Sequence, residues 1–316
     1  MRDFAKRLLI LLPAAALAAA PALAQGDEAA DSASSDSEIT VTGMKDVQPV
    51  AVHHQARVIT PQVDLRTKPL ARFHLPVCPG VVGLPKDLAG FVADRIRFNA
   101  KRVGLHVAES LDCKPDVIVA FVPDGGSAIR AMNKVNPSLI SGLDYYEKRK
   151  VLDQTGPARA WSVVRLRSPS GCTLRAGTPN NFADIVNTRL HLNVRSDIEL
   201  SVVLIDYAAI DGLSATQIAD YVTMRGLALT QAPDDQSAYG TILSLFDAGS
   251  MPPGEMTAFD IAYLKSVNSS LDTLSAAHKI GGVYGKMRKE VAAQEDGVEA
   301  DPATIENPRR DFSCRY

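Results

Sequence analysis

Residues 198–229, IELSVVLIDYAAIDGLSATQIADYVTMRGLAL, are the stretch that decides the fold. The first part, Leu200–Ile205, is an apolar run rich in branched side chains, which is typical of a buried strand. The Asp-Gly pair at 211–212 predicts a turn, and Ser214 with Gln217 three residues later has the form of a capping box. The stretch therefore predicts a buried strand that leads through a short loop into a helix.

Similar patterns flank this stretch on both sides. Apolar residues at helical spacing predict a helix over 85–104, and the apolar run at 116–122 predicts a second buried strand. Alternating residues at 160–167 predict a half-exposed strand, and two helical patterns over 257–287 predict a C-terminal helical hairpin. We therefore expect an α/β (α+β) fold in which a mixed sheet packs against several helices.

The N-terminus has the three parts of a secretory signal peptide. Basic residues precede an apolar run over 8–20, and a site of the A-x-A type ends at Ala24. We interpret residues 1–24 as a signal peptide cleaved after Ala24, which makes the mature protein periplasmic or secreted. A transmembrane segment needs about 20 apolar residues, and the mature chain contains no such run.

The mature chain is predicted to have four parts. Residues 25–44 are small and acidic and predict a disordered leader that ends with the segment ITVTG. Residues 45–84 contain scattered prolines and predict an extended arm that wraps the body. Residues 85–288 are predicted to form a single globular α/β domain, and residues 289–316 a polar tail.

The charge balance argues against nucleic acid as a partner. The whole chain has 34 Lys and Arg against 36 Asp and Glu, and removal of the signal peptide takes away three basic residues and one acidic residue. A mildly acidic mature chain lacks the clustered basic residues that neutralise phosphates.

The four cysteines, Cys78, Cys113, Cys172 and Cys314, all lie in the mature chain. An even number in an oxidising compartment predicts disulfides, with three possible pairings. We prefer Cys78 with Cys113, because they flank one predicted helix, and Cys172 with Cys314. A metal site would need Cys-x-x-Cys or nearby histidines, and neither is present, so no metal and no other cofactor is expected.

Three carboxylates near the central stretch are candidate functional residues: Asp206, Asp211 and Asp220. Asp206 ends the predicted strand, where α/β folds commonly place functional groups. The alternative is that such acids form turns or helix caps. No catalytic residue is identified, because the chain lacks the Walker, G-x-G-x-x-G, G-x-S-x-G and H-E-x-x-H patterns.

The order of the predicted elements resembles the layout of the zincin metallopeptidases, whose last helix bears H-E-x-x-H. Residues 217–221 here read QIADY, so the resemblance is to a degenerate member without zinc ligands. The segment CPGVVGL at 78–84, the helix after it, and the run 217–246 ending in TILSLF resemble an uncharacterised family of secreted bacterial (Gram-negative) proteins. That resemblance implies no activity and no site residues.

These observations favour an exported, non-catalytic protein that binds a ligand or associates with the envelope, and its partner would be an envelope protein. The alternative is a hydrolase, a degenerate or atypical zincin-like peptidase whose site residues no motif identifies.

Overall fold

The computed structural model describes residues 47–61, 64–66, 68–135, 137–173, 192–234, 236–269 and 271–297. These residues belong to one unit, Gly43–Tyr316. The predicted signal peptide, the leader with ITVTG, Cys314 and the end of the predicted tail lie outside the described residues.

A mixed sheet forms the centre of the fold, as the sequence predicts. The described strands are β1 (Pro79–Val82), β2 (Val117–Val122), β3 (Ala158–Arg167) and β4 (Arg195–Asp206), in the order β1-β2-β4-β3. The pairs β1–β2 and β2–β4 are parallel, whereas β3 runs antiparallel to β4. The apolar β4 lies in the interior of the sheet, where both of its faces are covered.

Helices cover both faces of the sheet. The described α-helices are α1 (Pro49–Val58), α2 (Lys86–Arg102), α3 (Gly125–Val135), α4 (Ser138–Ser141), α5 (Tyr145–Leu152), α6 (Ala215–Leu227), α7 (Ala258–Ser269), α8 (Ala276–Gly281) and α9 (Val283–Glu295). Val203 and Ile205 of β4 pack into the same core as α2, α6 and α7. Val202 and Leu204 point the other way, toward α3, α4 and α5, because successive side chains of a strand alternate between faces.

The connection from β4 to α6 confirms the prediction for the central stretch. The Ser214 hydroxyl accepts a hydrogen bond from the Gln217 N–H, and the Gln217 side chain accepts one from the Ser214 N–H, both at 3.1 Å. Gly212 adopts a φ of 77° in the turn before the cap, a conformation that glycine reaches without steric cost. The local residues therefore suffice to stop the strand and start the helix.

The prediction of an extended arm over 45–84 is wrong for Pro49–Val58, which form the helix α1. Pro49 stands in the first turn of this helix, where its missing N–H removes no helical hydrogen bond. Val52 and Ala56, one turn apart, are fully buried in the core that also contains α2 and α6. The domain therefore begins before residue 85, because the prolines mark the ends of elements rather than a continuous extended chain.

The predicted boundary at residue 289 is also wrong, since α9 continues to Glu295. The helix continues because Glu290 points inward and forms an ion pair with Lys265 of α7 at 2.6 Å, with both side chains almost completely buried. The helices α7 and α9 pack against each other, which is the pairing expected of the helical hairpin. The short α8 lies between them in the chain.

The disulfide predicted between Cys78 and Cys113 is present and joins the start of β1 to the loop before β2. Cys172 is disulfide-bonded as well. The second predicted pairing involves Cys314, which lies outside the described residues. None of the helices in the described part of the chain is long and apolar enough to cross a membrane.

Candidate functional site

Asp220, one of the three candidate carboxylates, lies on α6 and is completely buried. Arg95 on α2 donates to both carboxylate oxygens, from Nε at 2.8 Å and from Nη2 at 2.9 Å. The Asn99 amide donates at 2.7 Å and the Met256 N–H at 2.8 Å. Because the carboxylate accepts four hydrogen bonds without exposed surface, it joins α2, α6 and the loop before α7, and solvent-borne ligands do not reach it.

Asp206 ends β4, as predicted, and its side chain is 23% exposed. It accepts hydrogen bonds from the Gly125 N–H at 2.7 Å and from Arg159 Nη1 at 3.0 Å. The carboxylate therefore compensates the charge of Arg159 and the free N–H groups at the start of α3. Asp211 lies exposed in the turn before α6. The three carboxylates share no hydrogen-bonding partner among the contacts described.

Gly125 is expected to be essential for the Asp206 contact. A Cβ atom at this position would lie 2.4 Å from Arg159 Nη1 and 2.8 Å from Asp206 Oδ1. Gly125→Ala should displace this ion pair and lower the free energy of unfolding by about 1–3 kcal/mol. The matched control is Gly126→Ala, whose Cβ would have no neighbour closer than 3.5 Å, and which should be neutral or gain up to about 1 kcal/mol.

Urea unfolding followed by circular dichroism measures both glycine variants. Equal losses of stability in the two variants would contradict the steric explanation.

A cleft of about 490 Å³ lies where β3, the start of β4, α5 and α7 meet. Its walls are mainly apolar and come from distant parts of the chain, namely Leu70, Val164, Leu166, Leu229 and Val267. Leu166 is 45% exposed, so a large apolar side chain of the cleft is accessible from solvent. Charged residues stand at the rim, among them Lys150 and the capping pair Asp144 and Glu147 at the start of α5.

Thr60 and Tyr263 line the same cleft, and their hydroxyl groups are 2.8 Å apart. Thr60 donates to the Ala56 carbonyl at 2.7 Å, so the Tyr263 hydroxyl donates to Thr60. Burial raises the pKa of Tyr263 to about 12, although the hydrogen bond with Thr60 opposes this shift. The tyrosine therefore keeps its proton, and both hydroxyl protons are used within the protein.

Beside the cleft lies a largely buried cluster that we name the latch, consisting of Arg72, His74, Asp197 and Asp272. His74 Nδ1 lies 3.0 Å from Asp197 Oδ1, and His74 Nε2 lies 3.3 Å from Asp272 Oδ2. Arg72 forms an ion pair with Asp272 and donates to the backbone carbonyl of Asn268. The atoms His74 Nδ1 and Asp197 Oδ1 are close without being aligned for a hydrogen bond, so they form an ion pair only when the imidazole is protonated.

The surrounding charges keep both latch carboxylates ionised. Burial raises the pKa of Asp272, but the hydrogen bond from His74 and the charge of Arg72 outweigh burial and lower the pKa to about 2. The pKa of Asp197 also falls below its ordinary value, because His74 and Arg195 outweigh the effect of burial. Lys279 of α8 is buried near Arg72, and burial together with that charge lowers its pKa to about 7.

The positions that would bear zinc ligands in a zincin are used for packing and capping here. Gln217 caps α6 and donates to the Pro253 carbonyl at 3.1 Å. Tyr221 is buried with its ring 4.8 Å from that of Phe246. Within the described ranges, no group of three or more His, Cys, Asp and Glu side chains lies close enough together to hold a metal ion.

Comparisons with protein-family models, with curated proteins and with solved structures find no match for this chain. The resemblance to a family of secreted bacterial proteins therefore stays a prediction.

The sequence reasoning did not identify the cleft or the latch. His74 lies among prolines in a segment without clear periodicity, and its carboxylate partners belong to β4 and to the connection between α7 and α8. A histidine two residues from an arginine is too common a pattern to indicate a buried ionic cluster.

Proposed function

We propose that this chain is an exported, non-catalytic binding protein whose ligand occupies the cleft. The observation that carries the proposal is the size and lining of this cleft. Its volume of about 490 Å³ falls within the range of about 300–1,000 Å³ that is usual for ligand sites. Its lining is more apolar than polar and includes the charged residues Lys68, Asp144, Glu147 and Lys150. Ligand sites usually combine apolar walls with polar groups that orient the ligand.

The ligand that fits best has an apolar body. The hydroxyl groups of Thr60 and Tyr263 already donate to acceptors within the protein. This part of the cleft therefore offers a ligand no hydroxyl donor. Val164, Leu166 and Leu229 line the cleft and are at least partly exposed, so they offer apolar surface instead. Burying such surface favours binding by about 25 cal/mol per Å². Polar groups of the ligand would meet the charged rim near Lys150 rather than the walls.

Nile red, an uncharged dye that fluoresces in apolar surroundings, is a direct probe of the cleft. We expect saturable binding at one site per chain. Leu166→Glu should weaken binding at least about tenfold, because the new carboxylate would have to be desolvated beside the dye. The matched control is Leu111→Glu, which changes a side chain that is 75% exposed and does not line the cleft.

The control variant should bind Nile red within about twofold of the parent protein, as expected of an independent site. Absence of saturable binding, or an equal loss in both variants, would reject the cleft as the ligand site.

Export is proposed from the signal-peptide pattern at residues 1–24. The disulfide between Cys78 and Cys113 is compatible with an extracytoplasmic compartment. Intact-mass measurement of the protein from its native source should show a chain that begins at Gln25. A chain that still begins at Met1 would contradict cleavage.

The hydrolase alternative rests on the predicted order of helix, strand, helix, a pair of strands, and a buried strand that leads into a helix. That last step is β4 followed by α6. Gln217 and Tyr221 on that helix offer no metal ligand of the usual kind. Metal analysis of the purified protein separates the two functions. One zinc ion per chain together with cleavage of a casein substrate would favour the hydrolase and contradict the non-catalytic proposal.

A further inference from the structure

The latch lies directly behind the wall of the cleft. Three cleft-lining residues, Ala71, Ser196 and Val267, each precede a residue that belongs to the latch or bonds to it. Arg72 pairs with β4 through the hydrogen bond from its N–H to the Ser196 carbonyl, and its guanidinium donates to the carbonyl of Asn268. The latch is therefore connected to three chain segments that line the cleft.

The imidazole of His74 faces a carboxylate at each of its two nitrogens. Asp197 comes from β4, and Asp272 comes from the connection between α7 and α8. A neutral imidazole has one N–H donor and one lone pair, so it can serve only one of these carboxylates. The imidazolium has two N–H groups and a positive charge, so it attracts both carboxylates.

Nε2 of His74 also has a second neighbour that suits the neutral ring. Arg72 Nε lies 3.3 Å from it and donates toward it. A neutral ring with its proton on Nδ1 accepts this hydrogen bond and leaves Asp272 to Arg72 alone. Nε2 therefore interacts with only one of these two partners at a time. When it carries a proton it donates to Asp272, and when it does not it accepts from Arg72.

We propose that His74 is a proton-operated latch on the cleft. The imidazolium holds the α7–α8 connection against β4. Loss of its proton ends the attraction between His74 and Asp272, leaves Asp272 paired with Arg72, and loosens the wall that contains Ala71 and Val267. The cleft is then held more rigidly at low pH than at high pH. This regulation concerns the proposed ligand site and so rests on the proposed function.

Other charged or titratable groups lie near the latch, and their contribution to any pH dependence must be distinguished from that of His74. They come from β3, β4, α8 and the loop after α2, and they are Arg167, Arg195, Lys279 and His106. Both arginines pair with Asp197 and stay charged at every pH of interest. Lys279 requires its own variant, because its lowered pKa of about 7 lies in the range where histidines ordinarily titrate, about pH 5–8.

Amide hydrogen exchange measures the proposed loosening without any ligand. The Ala276 N–H bonds to the Lys68 carbonyl at 3.1 Å, and the Ala277 N–H bonds to the Leu65 carbonyl at 2.7 Å. These two bonds join the start of α8 to the segment ahead of the latch. Between about pH 5.5 and about pH 8 their protection factors should fall about tenfold, the effect of losing one charged hydrogen bond.

Two variants identify the group responsible. In His74→Gln, which cannot be protonated, the pH-dependent fall should disappear. In Lys279→Met, which removes the neighbouring titratable amine, the fall should remain. The proposal is overturned if protection in the unmodified protein does not change with pH, or if the fall persists in His74→Gln.

An NMR titration of the His74 ring in the unmodified protein provides the test if His74→Gln does not fold. The midpoint of the ring signals should coincide with that of amide protection, and separate midpoints would overturn the latch. None of these measurements uses a ligand. Failure of Nile red binding would therefore reject the proposed function and would leave the test of the latch unaffected. If both proposals hold, the affinity for Nile red should change with pH in the parent protein and stay constant in His74→Gln.

Discussion

Asp220→Asn should lower the free energy of unfolding by about 1–3 kcal/mol, the cost of leaving buried hydrogen-bond donors without an acceptor. Arg95 keeps a second counter-charge, because Glu255 lies 3.1 Å from its Nη2 and the Arg95 side chain is 22% exposed. The carboxylate receives two hydrogen bonds from Arg95, one from Asn99 and one from the Met256 N–H. An amide of the same shape keeps one good acceptor oxygen and turns a donor toward groups that are themselves donors. The replacement therefore leaves buried donors without acceptors.

Urea unfolding of the protein, followed by circular dichroism, measures this loss as a lower midpoint at an unchanged slope. The matched control is Asp211→Asn, the same chemical change at an exposed position, which should alter stability by less than about 0.5 kcal/mol. A loss below about 1 kcal/mol in Asp220→Asn would show that the network contributes little.

Replacement of both Cys78 and Cys113 by serine should cost about 4 kcal/mol, because the disulfide closes a loop across a sequence separation of 35 and restricts the unfolded chain. The folded geometry should persist. The Cys78 N–H donates to the Asp116 carboxylate at 2.8 Å, and the Asp116 N–H donates to the Cys78 carbonyl at 3.0 Å. These hydrogen bonds hold the same two segments together without the covalent link.

The double variant isolates this bond, whereas a reducing agent would also open the one at Cys172. Lys114→Ala is the matched control, since it changes an exposed side chain in the same loop and should have an effect below about 0.5 kcal/mol. If the double variant and the control unfold at the same urea concentration, the bond does not stabilise this domain.

The three candidate carboxylates show which properties of a site the local sequence can predict and which it cannot. The sequence correctly placed Asp206 at the end of β4 and Asp220 within α6, because strand and helix patterns extend over neighbouring residues. It could not show that Asp220 meets Arg95 and Asn99 on α2. Those contacts depend on how α6 packs against α2, and helix packing combines residues that are far apart in the chain.

The error over α1 has a different origin. The segment 45–84 contains several prolines, and their number indicated an extended chain. Proline at the first turn is compatible with a helix, and the deciding contribution is the burial of Val52 and Ala56 against the core. A short helix of this kind gains most of its stability from tertiary packing, so its own residues predict it poorly.

The sequence by itself determined the fold class and the passage from β4 to α6 with its capping box, and it favoured the disulfide between Cys78 and Cys113 among three possible pairings. These features depend on interactions between residues close in the chain, or on a covalent chemistry that few residues share. Only the tertiary structure decided the burial of Asp220, the cleft beside Leu166 and the latch around His74. The physical reason is that these sites consist of contacts between distant segments, whose energies exist only after the sheet and helices have packed.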